Sequence, residues 1–364
     1  YNEDESRPLK PNDNGRPRAF SDVPGLHQVA IYAEDNLSWE YRKNQHLRVM
    51  IGARYQAMQP FSGIGTQGVS PRTNVALEVG KSLTLRAGFG LNSKSPGLNY
   101  LYPDNNYSDH IALAYYANGN TAPGMEGSMV VNHTYVQQVE RSKHLKNATT
   151  TKLEAAIDIR LGERAKLSLT AYQDRTPNGF SSALEYVTYE SLQYSSPEAY
   201  RAGVANDVPS TFWTTNGQVA NDNVLRNRGV EADFDFGRIT WLNTSVYFSG
   251  AWQESKAWSK GPNTANPRNL TAEYKARNTT PYKLTYPRGL DYSRQRRFVN
   301  TLRIVTNIPE LRMVASLTGQ VIWHSSMLSY NADMDPTGYI TTDLKWHEIS
   351  RDMMTGWLDL HGVW

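Results

Sequence analysis

From Leu153 to Tyr172 the chain reads LEAAIDIRLGERAKLSLTAY, and every second residue changes character. Leu153, Ala155, Ile157, Ile159 and Leu161 are apolar, whereas Glu154, Asp158 and Arg160 are charged. After GERA the alternation restarts, with Leu167, Leu169 and Ala171 against Ser168, Thr170 and Tyr172. A period of two predicts strands with one apolar and one polar face. The pattern recurs in HQVAIYAEDNLSWEY, LRVMIGARYQA, NVALEVG, LTLRAGFGL, RGVEADFDF, LNTSVYFSGAW, FVNTLRIVT and LRMVASLTGQVIW. That makes about ten segments, most of them close to the roughly 9–11 residues that cross a bilayer as a tilted strand.

Water-soluble sandwiches and barrels alternate too, so alternation by itself leaves both classes open. The charges shift the balance. Arg48, Arg54, Glu78, Arg86, Glu154 and Asp158 fall mid-strand on polar faces. Uncompensated charge inside a soluble core is very costly. A wall with a wet lumen on one side and lipid on the other accommodates both faces.

The connections alternate in length. RKNQ, GKS, GERA, GRIT and NIPE are short, whereas the stretches from Met58 to Arg72, Asn92 to Thr150, Arg175 to Asn227 and Gln253 to Arg297 are long. Such loops, on the order of 15 to 60 residues, are rare in compact soluble domains, but short periplasmic turns and long outer loops characterise outer-membrane barrels. This orients the strands: Trp39 falls at a periplasmic end, and Tyr55, Phe89, Trp252 and Trp323 near outer ends, matching two aromatic girdles. We therefore expect Ile51, Leu85, Ile157, Phe234 and Leu317 to face lipid, and Arg54, Arg86, Asp158, Asp233 and Thr318 to face the lumen.

Composition narrows the function. The chain of 364 residues has no cysteine, which excludes disulfide frameworks and thiolate chemistry, and its net charge of +3 gives no reason to expect nucleic acid as a partner. There is no apolar run long enough for a membrane helix. The eight histidines form no metal-ligand pair, and no nucleophile elbow stands in a strand–turn–helix context, so no catalytic residue, metal or cofactor is expected. The acidic loop from Asp104 to Asp109 lacks the spacing of a calcium site.

The segment SPRTNVALEVGKSLTLRAGFGLNSKSPGLNYLYPD resembles the barrel of TonB-dependent transporters, with Arg86, Gly88 and Gly90 matching the R-x-G-x-G run and Lys94 and Pro96 the K-x-P loop. NATTTKLEAAIDIRL is similar to the following segment of that family, and Asn227, Gly229 and Glu231 match its N-x-G-x-E strand. The long Tyr-rich loops resemble those of Bacteroidetes-type members.

The resemblance implies an all-β fold: a transmembrane antiparallel β-barrel with long extracellular loops, in the outer membrane of a Gram-negative bacterium. The family barrel has about 22 strands, so residues 1–364 are expected to be a partial receptor barrel domain, with the plug domain and closing strands outside the chain. About ten strands are expected in the wall, or twelve if HIALAYYAN and SMVVNHTYVQQV extend into it. TGWLDLHGVW resembles the entry to a late strand.

It also implies uptake of a large scarce solute energised by TonB–ExbB–ExbD through the plug, with outer-membrane lipid as a further partner and a surface lipoprotein as a candidate one. A passive porin or an adhesion barrel is the alternative. Arg48, Arg54, Arg86, Glu78, Glu154 and Asp158 are candidates for facing the lumen and gripping the plug, or else for a ladder of cross-strand pairs. Tyr100, Tyr102, Tyr107, Tyr115 and Tyr116 are candidates for binding solute in an outer loop, or else for packing that loop. Aromatic faces beside amide and carboxylate groups suit sugars and ring-bearing ligands.

Overall fold

The structure is a computed structural model, and it describes residues 21, 23–43, 45–59, 67–116, 128–139, 144–182, 186–206, 210–215, 217–261, 263–265, 282–286, 292–330, 337–341 and 343–349. TGWLDLHGVW lies outside the described residues.

In chain order the strands are His27–Arg42 (β1), Gln45–Gln59 (β2), Gly68–Val79 (β3), Leu83–Lys94 (β4), Asn106–Tyr115 (β5), Met129–Gln137 (β6), Ala148–Leu161 (β7), Ala165–Ser182 (β8) and Tyr186–Ser191 (β9). They continue with Ser210–Thr215 (β10), Val219–Ile239 (β11), Thr244–Ser259 (β12), Asn263–Ala265 (β13), Tyr282–Tyr286 (β14), Tyr292–Ile308 (β15), Met313–Tyr330 (β16), Gly338–Thr341 (β17) and Trp346–Glu348 (β18). Two short helices, Leu98–Leu101 (α1) and Pro197–Ala202 (α2), lie in the loops.

One ten-stranded antiparallel sheet, ordered β1-β2-β3-β4-β7-β8-β11-β12-β15-β16, forms the wall, with β1 and β16 as its open edges. Its register carries the sequence alternation from strand to strand. Leu37 stands opposite Val49, and the row continues through Val75, Ala87, Ala155, Ala171, Val230, Trp252 and Phe298. The neighbouring row runs Trp39, Leu47, Leu77, Leu85, Ile157, Leu169, Ala232 and Gly250. A slip of one residue at any strand would put its charges into the apolar face, so the apolar rows and the register define each other. Ile51, Leu85, Ile157 and Leu317 are all exposed on this face.

Polar residues interrupt the apolar face in places, Thr73 between Ile51 and Phe89 among them. Asp35 sits on the edge strand, opposite Ile51. Asn300 lies opposite Gly250 and Val321, and its amide oxygen accepts a 2.6 Å hydrogen bond from the Trp323 indole N–H. That bond removes part of the penalty of setting an amide against lipid.

The turns explain how the strands reverse so tightly. Gly80 and Gly162 adopt positive φ between β3 and β4 and between β7 and β8, Gly237 does so at the register shift near the end of β11, and Asn243 and Arg312 do so at the short 3-10 turns before β12 and β16. Gly237 needs glycine twice over, because a Cβ there would also stand 2.6 Å from the Arg164 carbonyl oxygen.

Two expectations need correction. The long loops are shorter than the sequence suggests, because β8 runs on to Ser182, β11 begins at Val219, β12 reaches Ser259 and β15 begins at Tyr292. Beyond the apolar band both faces meet water, so the backbone keeps pairing after the apolar signal has ended. The two extra segments do form strands, β5 and β6, but these pair with each other and do not join the wall. The wall therefore has ten strands among the described residues.

Candidate functional site

The polar face carries a ladder of ion pairs. Arg48 meets Glu78 at 2.9 Å, Arg72 meets Glu34, and Lys152 meets Asp174 at 3.3 Å. Arg86 is a fork: its Nε donates to Asp158 Oδ2 at 2.6 Å and its Nη2 to Oδ1 at 3.1 Å, with Glu154 at 3.8 Å on its other side. Ser168 donates to the same Asp158 carboxylate at 2.7 Å. Five of the six lumen candidates are thus joined pairwise across strands. Arg54 has no carboxylate among the described residues; it lines an open concavity of about 510 Å³ with Tyr32, Gln56, Ser70, Arg72 and Asn92. A second concavity of about 290 Å³ lies over Arg48, Asn74, Arg86 and Glu154. Both openings are polar, and both sit on the charged face.

Glycines shape this face. Gly88 leaves room for the Asn74 amide, whose oxygen would stand 2.8 Å from a Cβ, and Gly229 lets the Tyr172 hydroxyl lie against the backbone, 2.7 Å from where a Cβ would be. By register Arg86, Gly88, Gly90, Asn227, Gly229 and Glu231 all lie on the polar side.

Loop residues pack together where the strands meet the longer loops. Met58, Leu101 and Leu145 are buried together, with Leu98, Tyr100, Tyr102, Phe180 and Val219 packed around them. Tyr100 meets Phe180 with ring centroids 5.4 Å apart. Pro96 of the K-x-P stretch is fully buried. Amides clasp the same region: Asn178 donates to the Asn147 carbonyl at 2.9 Å, and Asn221 donates to the Asn178 and Lys146 carbonyls at 2.9 Å each. These bonds satisfy backbone groups that leave the sheet as the loops depart.

Of the tyrosine candidates, Tyr100 and Tyr102 therefore belong to this apolar knot. Tyr107 lies on β5 opposite Val136, Tyr115 is exposed at the end of the β5–β6 hairpin, and Tyr116 follows it, half-buried. The five are not gathered in one cluster.

A second aromatic group, missed from the sequence, joins the β5–β6 hairpin to the following loop. Tyr135 stacks on Tyr189 at 4.6 Å, and the His110 ring lies within 2.9 Å of the Tyr189 hydroxyl. His133, Tyr194 and Tyr200 form a neighbouring group, and the Tyr194 N–H donates to the Ala112 carbonyl at 2.9 Å. Burial pushes the His110 pKa below its ordinary value, while the Asp109 carboxylate opposes the shift. The signal was the spacing of Tyr186, Tyr189, Tyr194 and Tyr200 within a stretch read only as loop.

Sequence reading also missed a charged group above the apolar band on β11, β12 and β15. Glu254 is almost wholly buried under three guanidinium groups: Arg228 at 2.9 Å, Arg296 at 2.7 Å and Arg226 at 3.5 Å. Its signal was a continuing alternation, Arg226 and Arg228 against Glu254 and Lys256, and Arg294 and Arg296.

A wall two-faced over ten strands, with a charged interior face, defines a membrane-spanning barrel wall. The family model described as TonB dependent receptor-like, beta-barrel matches residues 1–345, and the chain belongs to that family. Its members are receptors and transporters of the Gram-negative outer membrane rather than enzymes.

Among solved structures, the siderophore receptor PirA from Acinetobacter baumannii is similar at 11% identity and a TM-score of 0.41, covering 83% of this chain and 46% of that one. PirA from Pseudomonas aeruginosa is similar at 16% identity and a TM-score of 0.37, covering 81% and 48%. The copper transporter OprC is similar at 11% identity and a TM-score of 0.36, covering 81% and 38%. The chain thus spans about half the length, or less, of these receptors. No curated protein sequence matches it.

Proposed function

We propose that this chain forms part of the wall of an outer-membrane receptor that takes up a large, scarce solute by work drawn from the TonB–ExbB–ExbD system through a plug domain. The observation that carries this reading is the charged face of β1–β8, where ion pairs alternate with open polar concavities. Wet, exchangeable contacts let a plug seat against the wall and still shift when pulled, because exposed ion pairs are individually weak, about 1 kcal/mol or less. In this reading Arg54, unpaired with any described carboxylate, and the outward sides of Arg48, Arg86, Glu78, Glu154 and Asp158 meet the plug.

The outer loops hold the solute. Their tyrosines, Tyr115 foremost because it is exposed, offer flat apolar faces beside amides and hydroxyls, a combination that suits glycans first, then metal chelates and peptides. A surface lipoprotein that helps to deliver the solute fits the same loop face.

The test uses the complete protein in cells. Uptake is expected to stop when the proton gradient is collapsed or TonB is removed, while solute binding at the surface persists. Uptake that continues in de-energised cells and rises linearly with solute concentration would make the protein a passive pore. Normal surface anchoring with no solute bound at all would make it an adhesion or structural barrel.

A further inference from the structure

The short turns at the end of the wall opposite the long loops carry one sign of charge. Lys43, Lys81, Arg164, Arg238 and Arg312 place an exposed cation in or beside each of the five. Within the turns only Glu163 and Glu310 oppose them, and none of these seven groups forms an ion pair among the described residues. The whole chain is close to balance, with 38 basic and 35 acidic residues, so the turns depart from its average.

Three neighbouring turns are tied into one platform. Arg164 Nη1 donates to the Arg238 carbonyl and to Thr240 Oγ1, at 3.4 Å each, and so bridges the β7–β8 and β11–β12 turns. Arg238 Nη2 donates to Asn243 Oδ1 at 2.8 Å, and the Asn307 N–H donates to the Asn243 carbonyl at 2.9 Å, which joins the β15–β16 turn to the same group. Neutral oxygens thus hold Arg164 and Arg238 in place and leave their charge uncompensated. The same platform carries Trp241, 81% exposed, with Leu242 and Leu311 also exposed. One exposed apolar residue would need no explanation, but three beside three guanidinium groups make an amphipathic patch. Its level is set by β12, where Val246, two residues past the turn, already belongs to the apolar row with Ile304. The patch therefore stands where hydrocarbon gives way to headgroups, a level that suits a Trp ring. Neighbouring hairpins are two strands apart, about 10 Å, so the guanidinium groups span more than one headgroup. Their forks match phosphate oxygens in shape and charge.

We propose that this rim is a seat for anionic phospholipid of the inner leaflet, with phosphates at Arg164, Arg238 and Arg312 and the glycerol and upper acyl chains against Trp241, Leu242 and Leu311. The proposal rests on the orientation that puts the short turns in the periplasm. It concerns the lipid beneath the barrel and stands apart from solute uptake.

The complete receptor, placed in nanodiscs of phosphatidylethanolamine with a minor fraction of phosphatidylglycerol of the same acyl chains, tests this. Lipid retained after mild detergent extraction is counted by native mass spectrometry. Wild type is expected to keep phosphatidylglycerol in preference to phosphatidylethanolamine. The triple variant Arg164→Gln, Arg238→Gln, Arg312→Gln is expected to retain it on the order of a hundredfold more weakly. Arg312→Gln alone leaves the bonds between the turns in place and is expected to weaken retention roughly fivefold. Lys345→Gln removes an exposed cation from the outer loops and is expected to behave as wild type.

Equal retention of the two lipids by wild type overturns the proposal even if the triple variant fails to assemble. An acidic periplasmic protein extracted with the receptor, in place of any lipid preference, would give the rim to a protein partner instead. Unchanged retention by Arg312→Gln and by an assembled triple variant also overturns it. A loss in Lys345→Gln as large as that in Arg312→Gln would show attraction to charge in general and likewise overturn it. So would labelling of Leu311→Cys by an impermeant maleimide on intact cells, which would put the rim outside. None of the lipid outcomes bears on energised uptake, which the experiment in de-energised cells decides.

Discussion

Arg86 and Asp158 are joined by two hydrogen bonds although neither faces the other directly in the sheet. Arg86 stands opposite Ala156 and Asp158 opposite Thr84, so the fork spans the diagonal between β4 and β7. A long, planar guanidinium can reach a diagonal neighbour where a lysine would offer a single point of charge. The side chains remain 40% and 36% exposed, so solvent screens the pair.

Arg86→Ala and Asp158→Asn are each expected to lower barrel stability by about 1 kcal/mol, and the double variant by less than the sum of the two. Unfolding in urea, followed by the heat-dependent electrophoretic mobility of folded barrels, measures this. Additive losses would mean that the fork contributes nothing beyond two independent side chains.

The two faces of the wall predict opposite responses to the same charge. Ile157→Arg, at mid-strand on the apolar face, is expected to cost about 2–4 kcal/mol. Its neighbour Ala156 faces the polar side, but it is buried and a poor comparison. Thr318→Arg on the polar face is a better one; it sets a like charge opposite Arg303 in a wet lumen and is expected to cost only about 1 kcal/mol or less. Equal losses at residues 157 and 318 would deny the wall its two solvents.

How much of this could be read from the chain depends on which physical constraint acts at each place. Inside the apolar band every second residue must be greasy, so ten strands and five short turns are legible from residues such as Leu37, Leu85 and Phe248. Outside the band that constraint lapses. Nothing in DRTPNGFSS or VANDNV announces a strand; these stretches pair because their neighbours are already aligned. The lumen pairs were half legible: residue type pointed to Arg86 and Asp158, but the diagonal reach was not visible. Glu254 was lost because the alternation was followed only while it remained apolar. The roles of the tyrosines depended on contacts between distant loops, such as Tyr135 with Tyr189, which local pattern does not encode.

The loop contact through His110 predicts a pH response. Burial lowers its pKa in the folded loop, so the unfolded or detached loop binds the proton more readily. The packing is then fully stable above the ordinary histidine value of 6.5 and weakens as pH falls below it. Asp109 acts against this shift, so Asp109→Asn should make the loss steeper. Hydrogen exchange of residues 106–115 at pH 8 and pH 5 is the measurement. With the base-catalysed rise of intrinsic exchange divided out, weaker protection at pH 8 than at pH 5 would reverse the sign and exclude a neutral, buried histidine.

Topology can be tested with single cysteines, because the chain supplies none of its own. Val204 is exposed in the loop between β8 and β11, and Leu311 is exposed in the short turn before β16. Val204→Cys is expected to react with an impermeant maleimide on intact cells, and Leu311→Cys only after the outer membrane is broken. The reverse pattern would invert the orientation.

The tyrosines separate binding from architecture. Tyr100 and Tyr102 pack around Leu101, which is wholly buried, and replacing them removes apolar area from the knot that seats the loop on the wall. Tyr115 is exposed at the hairpin end and supports little packing. If the outer loops grip a ring-bearing solute, Tyr115→Ala removes a contact face without loosening the loop, whereas Tyr100→Ala loosens the loop without necessarily removing a contact. Tyr115→Ala is therefore expected to weaken surface binding of glycan by roughly 1–2 kcal/mol, about tenfold, with hydrogen exchange of the loop unchanged. Tyr100→Ala is expected to speed exchange around residues 98–101 first and to weaken binding only through that disorder, an entropy cost that the bound state must offset. Isothermal titration and exchange on the same samples resolve the two. Unchanged affinity in Tyr115→Ala together with lost affinity in Tyr100→Ala would move the binding surface off the hairpin end and into the mouth beside Phe180.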